Sequence, residues 1–98
     1  MIQVIYEWDV PLSRQAEFLE AWERTTVSIR NSVPGARGSF CVASLDNPTE
    51  ILTIARWDRL EQWQAFIEGA KLDSMKVMHD LATRVSSRAF EQKGDFTM

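Results

Sequence analysis

The stretch Ile51-Leu52-Thr53-Ile54-Ala55 carries almost no polar residue at the alternate positions where a strand with one wet face would have them. A strand of this kind is covered on both faces. It therefore belongs in the middle of a sheet, with one layer packed above it and another below. The 98-residue chain can build one core, since two domains of ordinary size need roughly 150 residues or more. Its own helices can cover one sheet face, and the second cover has to come from another chain. The expectation is a homodimer joined through the sheet face opposite the helices.

Periodicity predicts the elements around that strand. Ile2, Val4, Tyr6, Trp8 and Val10 are apolar or aromatic at every second position, with Gln3, Glu7 and Asp9 between them, which predicts a strand over about 2–10. Pro11 turns the chain, and Ser13 is placed to cap a helix over about 13–31, where Phe18, Leu19, Trp22, Thr26, Ile29 and Val33 recur at steps of three and four. Glu20 and Arg24 lie four apart on its outer face as a solvent ion pair. Val33-Pro34-Gly35 ends the helix. A second strand at about 37–45 turns through Asp46-Asn47-Pro48 into the third at 50–57, which makes a hairpin. Asp58 and Glu61 form a capping-box-like start to a short helix over about 59–68, with Leu60, Trp63, Phe66 and Ile67 as its stripe and Gly69 as its breaker. A further helix over about 71–83 carries Leu72, Met75, Met78, His79 and Ala82 along one side, and VSSRAFEQ at 85–92 reads as the last strand. The order β-α-β-β-α-α-β predicts an α+β, ferredoxin-like fold: one domain over residues 1–98, with a four-stranded antiparallel sheet and helices on one face.

Composition excludes several classes of function. The 11 Lys and Arg are dispersed against 14 Asp and Glu for a net charge of −3, which leaves no basic stripe for phosphate and no expectation of nucleic-acid binding. No run approaches the roughly 18 apolar residues of a membrane span, and MIQVIYEWDV has neither a basic n-region nor an apolar h-region, so no membrane association and a cytoplasmic location are expected. The single cysteine, Cys41, cannot form an internal disulfide, and no Cys/His cluster has zinc-ligand spacing. Paired carboxylates at catalytic spacing, glycine-rich phosphate loops and Ser/His/Asp motifs are also missing, so no metal or cofactor is expected. Four Trp and five Phe in so short a chain predict an aromatic-lined interior.

Four pieces of the sequence carry a resemblance that spans nearly the whole chain. They are WDVPLSRQAEF with Trp8, Pro11 and Phe18; Pro34-Gly35-Ala36-Arg37-Gly38-Ser39; ILTIARWDRLEQWQAF with Trp57 and Trp63; and SSRAFEQKGDF. Together they resemble the antibiotic biosynthesis monooxygenase (ABM) family of dimeric α+β barrel proteins. The resemblance implies a scaffold shared by oxygenases of phenolic or polyketide substrates that need no cofactor and by haem-degrading enzymes. It also implies that haem degraders of the staphylococcal kind use an Asn on strand one with a Trp and a His on the second helical segment. Met1 to Val10 contains no Asn, Phe66 stands at the position matching that Trp, and His79 lies about one helical turn beyond the matching ligand position.

Six residues are candidates for chemistry or binding. His79, the only histidine, has the one side chain whose ordinary pKa suits removal of a phenolic proton near neutrality; its apolar stripe fits a part-buried residue at the core edge equally well. Tyr6 and Trp8 share a strand face and can offer an O–H and an N–H to a substrate oxygen, or pack as core or interface. Arg56 lies among apolar residues near the end of the central strand and needs a partner, either a substrate oxyanion or superoxide, or else Glu7 or Asp9 on the neighbouring strand. Trp63 and Phe66 wall a pocket between helix and sheet, or fill core. Three functions follow: a cofactor-independent monooxygenase of a small electron-rich aromatic, with His79, Arg56 and Tyr6 catalytic and Trp8, Trp63 and Phe66 binding substrate; haem degradation; and a non-catalytic dimer that binds a small hydrophobic ligand.

Overall fold

The computed structural model describes residues 1–69 and 73–97. Its elements run β1 (Ile2–Asp9), a 3-10 turn (Leu12–Arg14), α1 (Gln15–Ser32), β2 (Ala36–Ala43), β3 (Glu50–Trp57), α2 (Leu60–Gly69), α3 (Asp73–Leu81) and β4 (Thr83–Glu91). The four strands pair antiparallel in the order β2-β3-β1-β4, so β3 and β1 are central. This is the ferredoxin-like arrangement, and the strand that lacks polar alternation sits inside the sheet.

The register assigns each strand residue to a face. Val4, Tyr6 and Trp8 of β1 stand opposite Ala55, Thr53 and Ile51 of β3, and this is the face the helices cover. Phe18 and Ala21 of α1 bury completely there in one cluster with Trp8, Val10, Ile51 and Met78. Val4, Ala36 and Trp57 form a second cluster, against which Ile29, Trp63 and Phe66 pack. Fully burying a side chain the size of Phe18 or Ile51 is worth roughly 1.5–3 kcal/mol, so these two clusters hold the helices to the sheet. The opposite face pairs Ile5 with Ile54, Phe40 with Ile54 and Val42 with Leu52. It bears no helix, and Phe40 and Val42 are each 45% exposed on it.

Two bulges interrupt the alternation. Between Ala36 and Ser39 the partner on β3 moves only from Trp57 to Ala55, so β2 holds one extra residue. Gly38, at φ +90°, takes up the turn of the chain in a region that L side chains avoid. On β4, Glu7 faces Ser86 while Trp8 faces Arg84, which leaves Val85 as the extra residue. Gly35, at φ +86°, closes α1 after Val33 and Pro34, and the Gln62 side chain fills the space a Cβ would need there.

Several local expectations are corrected. Ser13 lies in the 3-10 turn, and no side chain caps α1. Asp58 does not cap α2, because Arg37 holds its carboxylate in a two-pronged ion pair with both bonds at 2.8 Å; Gln62 reaches back instead to accept the Arg59 N–H at 3.1 Å. Leu19 is exposed, and the buried stripe of α1 uses Ala21 and Thr25. The helix expected to reach residue 83 ends at Leu81, because Thr83 and Arg84 already pair with Asp9 and Trp8 in the sheet. Leu72 lies outside the described residues.

Candidate functional site

Between the covered sheet face and the three helices lies a cavity of about 380 Å³. All four tryptophans, Trp8, Trp22, Trp57 and Trp63, line it, with Phe66, Met75 and Met78 completing an apolar wall. The tryptophans of the sequence are thereby concentrated on one volume, with Phe66 as the one phenylalanine beside them. The rings meet edge to face or tilted, with centroids 5.1 Å apart for Trp8 and Phe18 and 5.4 Å for Trp57 and Phe66, the geometry that aromatic quadrupoles favour.

Hydrogen bonding decides which aromatic groups can still address a ligand. Trp8 Nε1 donates to Thr53 Oγ1 at 3.1 Å, Trp22 Nε1 to Ser39 Oγ at 2.9 Å and Trp63 Nε1 to the Tyr6 hydroxyl at 2.9 Å. These three indoles are therefore walls, with no N–H left to offer. Tyr6 is different: its oxygen accepts from Trp63, so its own O–H remains available as a donor.

Charge gathers at the same end. The Arg84 guanidinium stands 5.8 Å from the centroid of the Tyr6 ring and borders the cavity. No carboxylate pairs with it among the described residues. His79 also borders the cavity, its ring 5.2 Å from that of Trp8. Partial burial, and then the nearby Arg84 charge, push its pKa below the usual value, against a smaller opposing pull from Asp80. The imidazole is thus neutral at pH 7 and able to accept a proton. Burial pushes the Tyr6 phenol up despite its Trp63 bond and the Arg84 charge, so it stays protonated. A neutral base, a phenolic donor and a guanidinium together can remove a proton from a bound hydroxyl and hold the resulting anion.

Of the residues singled out from sequence, Tyr6, Trp8, Trp63, Phe66 and His79 all border this cavity. Arg56 adjoins it where β3 passes, but its guanidinium stands 5.9 Å from the centroid of the Phe40 ring, on the sheet face that bears no helix. The partners expected for it are out of place, since Glu7 pairs with Leu52 and Asp9 with Glu50, whereas Arg56 stands opposite Gln3. Trp8 does not present its N–H, which Thr53 holds. Cys41 is half-buried, and burial raises its pKa, so the thiol is a packing group.

Sequence reasoning placed Trp22 and Thr26 on the stripe of α1 without a polar role and missed Arg84 and Ser39, and the bulges explain the last two. Unbroken alternation counted from Ser87 turns Arg84 away from the helices, and counted from Ala36 it turns Phe40 inward in place of Ser39. The only sequence signal was the glycine at position 38, which is compatible with a bulge.

Comparison with known proteins fits this geometry. The sequence matches the antibiotic biosynthesis monooxygenase family over residues 1–76. No curated protein matches it. Among solved structures, SnoaB, a cofactor-independent oxygenase from Streptomyces nogalater, superposes with a TM-score of 0.80 at 16% identity over 99% of this chain and 97% of its own. The heme-degrader MhuD from Mycobacterium tuberculosis superposes with a TM-score of 0.75 at 19% identity over 99% of this chain and all of its own (100%). A conserved protein from Methanosarcina mazei Go1 does so at 0.70 and 14% identity, over 94% and 92% of the two chains. At such identities the likeness is one of fold, and that fold carries different chemistries. The family match, which extends from β1 into α3, is what assigns the chain: it belongs to the antibiotic biosynthesis monooxygenase family.

Proposed function

We propose that this protein is a cofactor-independent monooxygenase that acts, as a homodimer, on a small electron-rich aromatic such as a quinol or a phenolic, polyketide-like compound. The observation that carries the reading is the convergence of Tyr6, His79 and Arg84 at one end of a cavity walled by tryptophan and phenylalanine. Neutral His79 takes the proton of the bound phenol or enol, and Arg84 with the Tyr6 O–H stabilises the oxyanion. The electron-rich anion passes one electron to O2. Recombination of the resulting superoxide with the substrate radical gives a peroxide at the activated carbon. For a ring CH2, loss of water from that peroxide leaves a carbonyl, so one oxygen atom ends in the quinone and the other in water. Substrate carbon supplies every electron in this sequence. The apolar walls hold the flat substrate in position and keep bulk water from the anion.

Haem degradation has less support, because the residues of β1 that line the cavity are Tyr6 and Trp8 and offer no carboxamide. The test is aerobic turnover of an anthrone or dihydroxynaphthalene with no added cofactor, followed by quinone absorbance and oxygen uptake. His79→Ala is expected to lower the rate roughly a hundredfold or more, the usual contribution of a general base, while the fold persists. Ligand binding without oxygen uptake across such substrates would instead identify a non-catalytic binding protein.

A further inference from the structure

The cavity has a second polar end, which the chemistry above does not use. It lies on β2 and α1, at the opposite edge of the sheet from Arg84 on β4. Three inter-strand steps separate those two strands, about 14 Å across the sheet at the usual spacing. There Ser39 Oγ accepts the Trp22 Nε1–H at 2.9 Å and shares a 3.1 Å hydrogen bond with Thr26 Oγ1. All three residues line the cavity.

Counting protons gives this cluster a direction. The two hydroxyls own two protons, and their mutual bond uses one of them. If Ser39 donates, the Thr26 proton is left over; if Thr26 donates, the Ser39 proton is left over. Trp22 contributes only a donor, so it cannot absorb the remainder. Thr26 also makes no bond back to the carbonyl four residues earlier, unlike Thr25, which donates to the Ala21 carbonyl at 2.8 Å. One O–H is therefore left at the cavity wall in either arrangement. The bulge at Gly38 is what turns Ser39 to this side of the sheet, and bulges recur where a strand must re-aim a functional side chain.

We propose that Ser39 and Thr26, oriented by Trp22, form a specificity subsite that donates one hydrogen bond to an acceptor oxygen at the end of the substrate remote from its ionised hydroxyl. This rests on the cavity's being the ligand site of the reading above. It narrows the substrate class to flat aromatics that carry oxygen at both ends: a phenolic group for the His79 end, and a carbonyl, ether or methoxy oxygen for the Ser39 end.

The test uses two probes with one ring system, 2-naphthol and 6-methoxy-2-naphthol, with binding followed by quenching of the four tryptophans that line the cavity. The methoxy compound should bind the parent protein roughly three- to tenfold more tightly, the usual worth of one hydrogen bond. Ser39→Val with Thr26→Val, in which methyl groups take the hydroxyl positions and cover the Trp22 N–H, should erase the preference and leave the Kd of 2-naphthol within about twofold. Ser39→Thr, which keeps the hydroxyl, should retain the preference, and Ser39→Ala with Thr26→Ala, a smaller change, should erase it, which carries the test if the valine pair does not fold. Equal affinity of the parent for the two probes, or a preference that survives in the folded double variant, overturns the subsite and leaves the cavity reading standing. Failure of the parent to bind either probe overturns both.

Discussion

Three of the four indole N–H groups of this small protein are held by Thr53, Ser39 and Tyr6, so those three rings meet a ligand as apolar walls. At the scale of the residue, Tyr6 is the most exposed to test, because it joins the Trp63 wall to the charged end. Tyr6→Phe removes the available O–H and leaves the Trp63 N–H without its acceptor. In steady-state assays of the proposed oxygenase, kcat/KM should fall roughly a hundredfold, as for loss of one oxyanion donor. Chemical denaturation should show a cost of about 1–2 kcal/mol from the unpaired indole. The His79 imidazole gives a pH signature with a definite sign. Its folded pKa lies below the ordinary value near 6.5, chiefly through burial. The rate should therefore be flat above pH 6.5 and decline as the pH falls through that lower folded value. The unfolded chain binds its proton first on acidification, so stability should also fall as the pH drops below about 6.5. His79→Gln should remove both slopes, read as kcat/KM and as Tm between pH 5 and pH 8.

At the scale of the element, Gly38 carries the prediction. A Cβ there would meet only the Arg30 Cδ at 3.6 Å, an ordinary contact, so φ +90° and not crowding is the obstacle. Gly38→Ala should cost about 1–3 kcal/mol, seen as a drop in Tm of roughly 4–8 °C per kcal/mol for a domain of this size. The elements themselves were legible in the sequence because each has a clean period: alternation in β1, a three-and-four stripe in α1, and the unbroken apolar run of β3. The face on which a side chain lands was less legible. In ILTIA both parities are apolar, so alternation could not tell that Thr53 and Ala55 face the helices while Arg56 faces the other way. In β2 and β4 one extra residue resets the count, and no local propensity marks where it falls in VSSR. Arg84 and Ser39, the polar ends of the cavity, stayed hidden for that reason, whereas Tyr6, Trp8, Trp63, Phe66 and His79 lie on uninterrupted periods.

At the scale of the whole molecule, the uncovered sheet face asks for a second layer. Phe40 and Val42, each 45% exposed, and Phe90, 40% exposed, surround the Ile5–Ile54 pair. Arg56 and Arg88 lie over the two phenylalanine rings at 5.9 and 4.9 Å from their centroids. Light scattering should give twice the 11.3 kDa chain mass at micromolar concentration, with an interface of more than about 2,000 Å² in total. Ile54→Lys, which sets a charge at the centre of that face, should yield monomer or aggregate, and a stable parent monomer would defeat the inference. The bulges bind this outer face to the cavity in a way no substitution does. Each is one residue deep, so in β2 and β4 the assignment of side chains to inside or outside is a matter of counting. Flattening the bulge at Gly38 with every residue kept would, counted from Ala36, exchange Ser39 and Phe40 between the two sides of the sheet. One slip of register would then alter both what the cavity admits and what the outer face presents, a step by which a lineage on this scaffold can change its ligand and its assembly together.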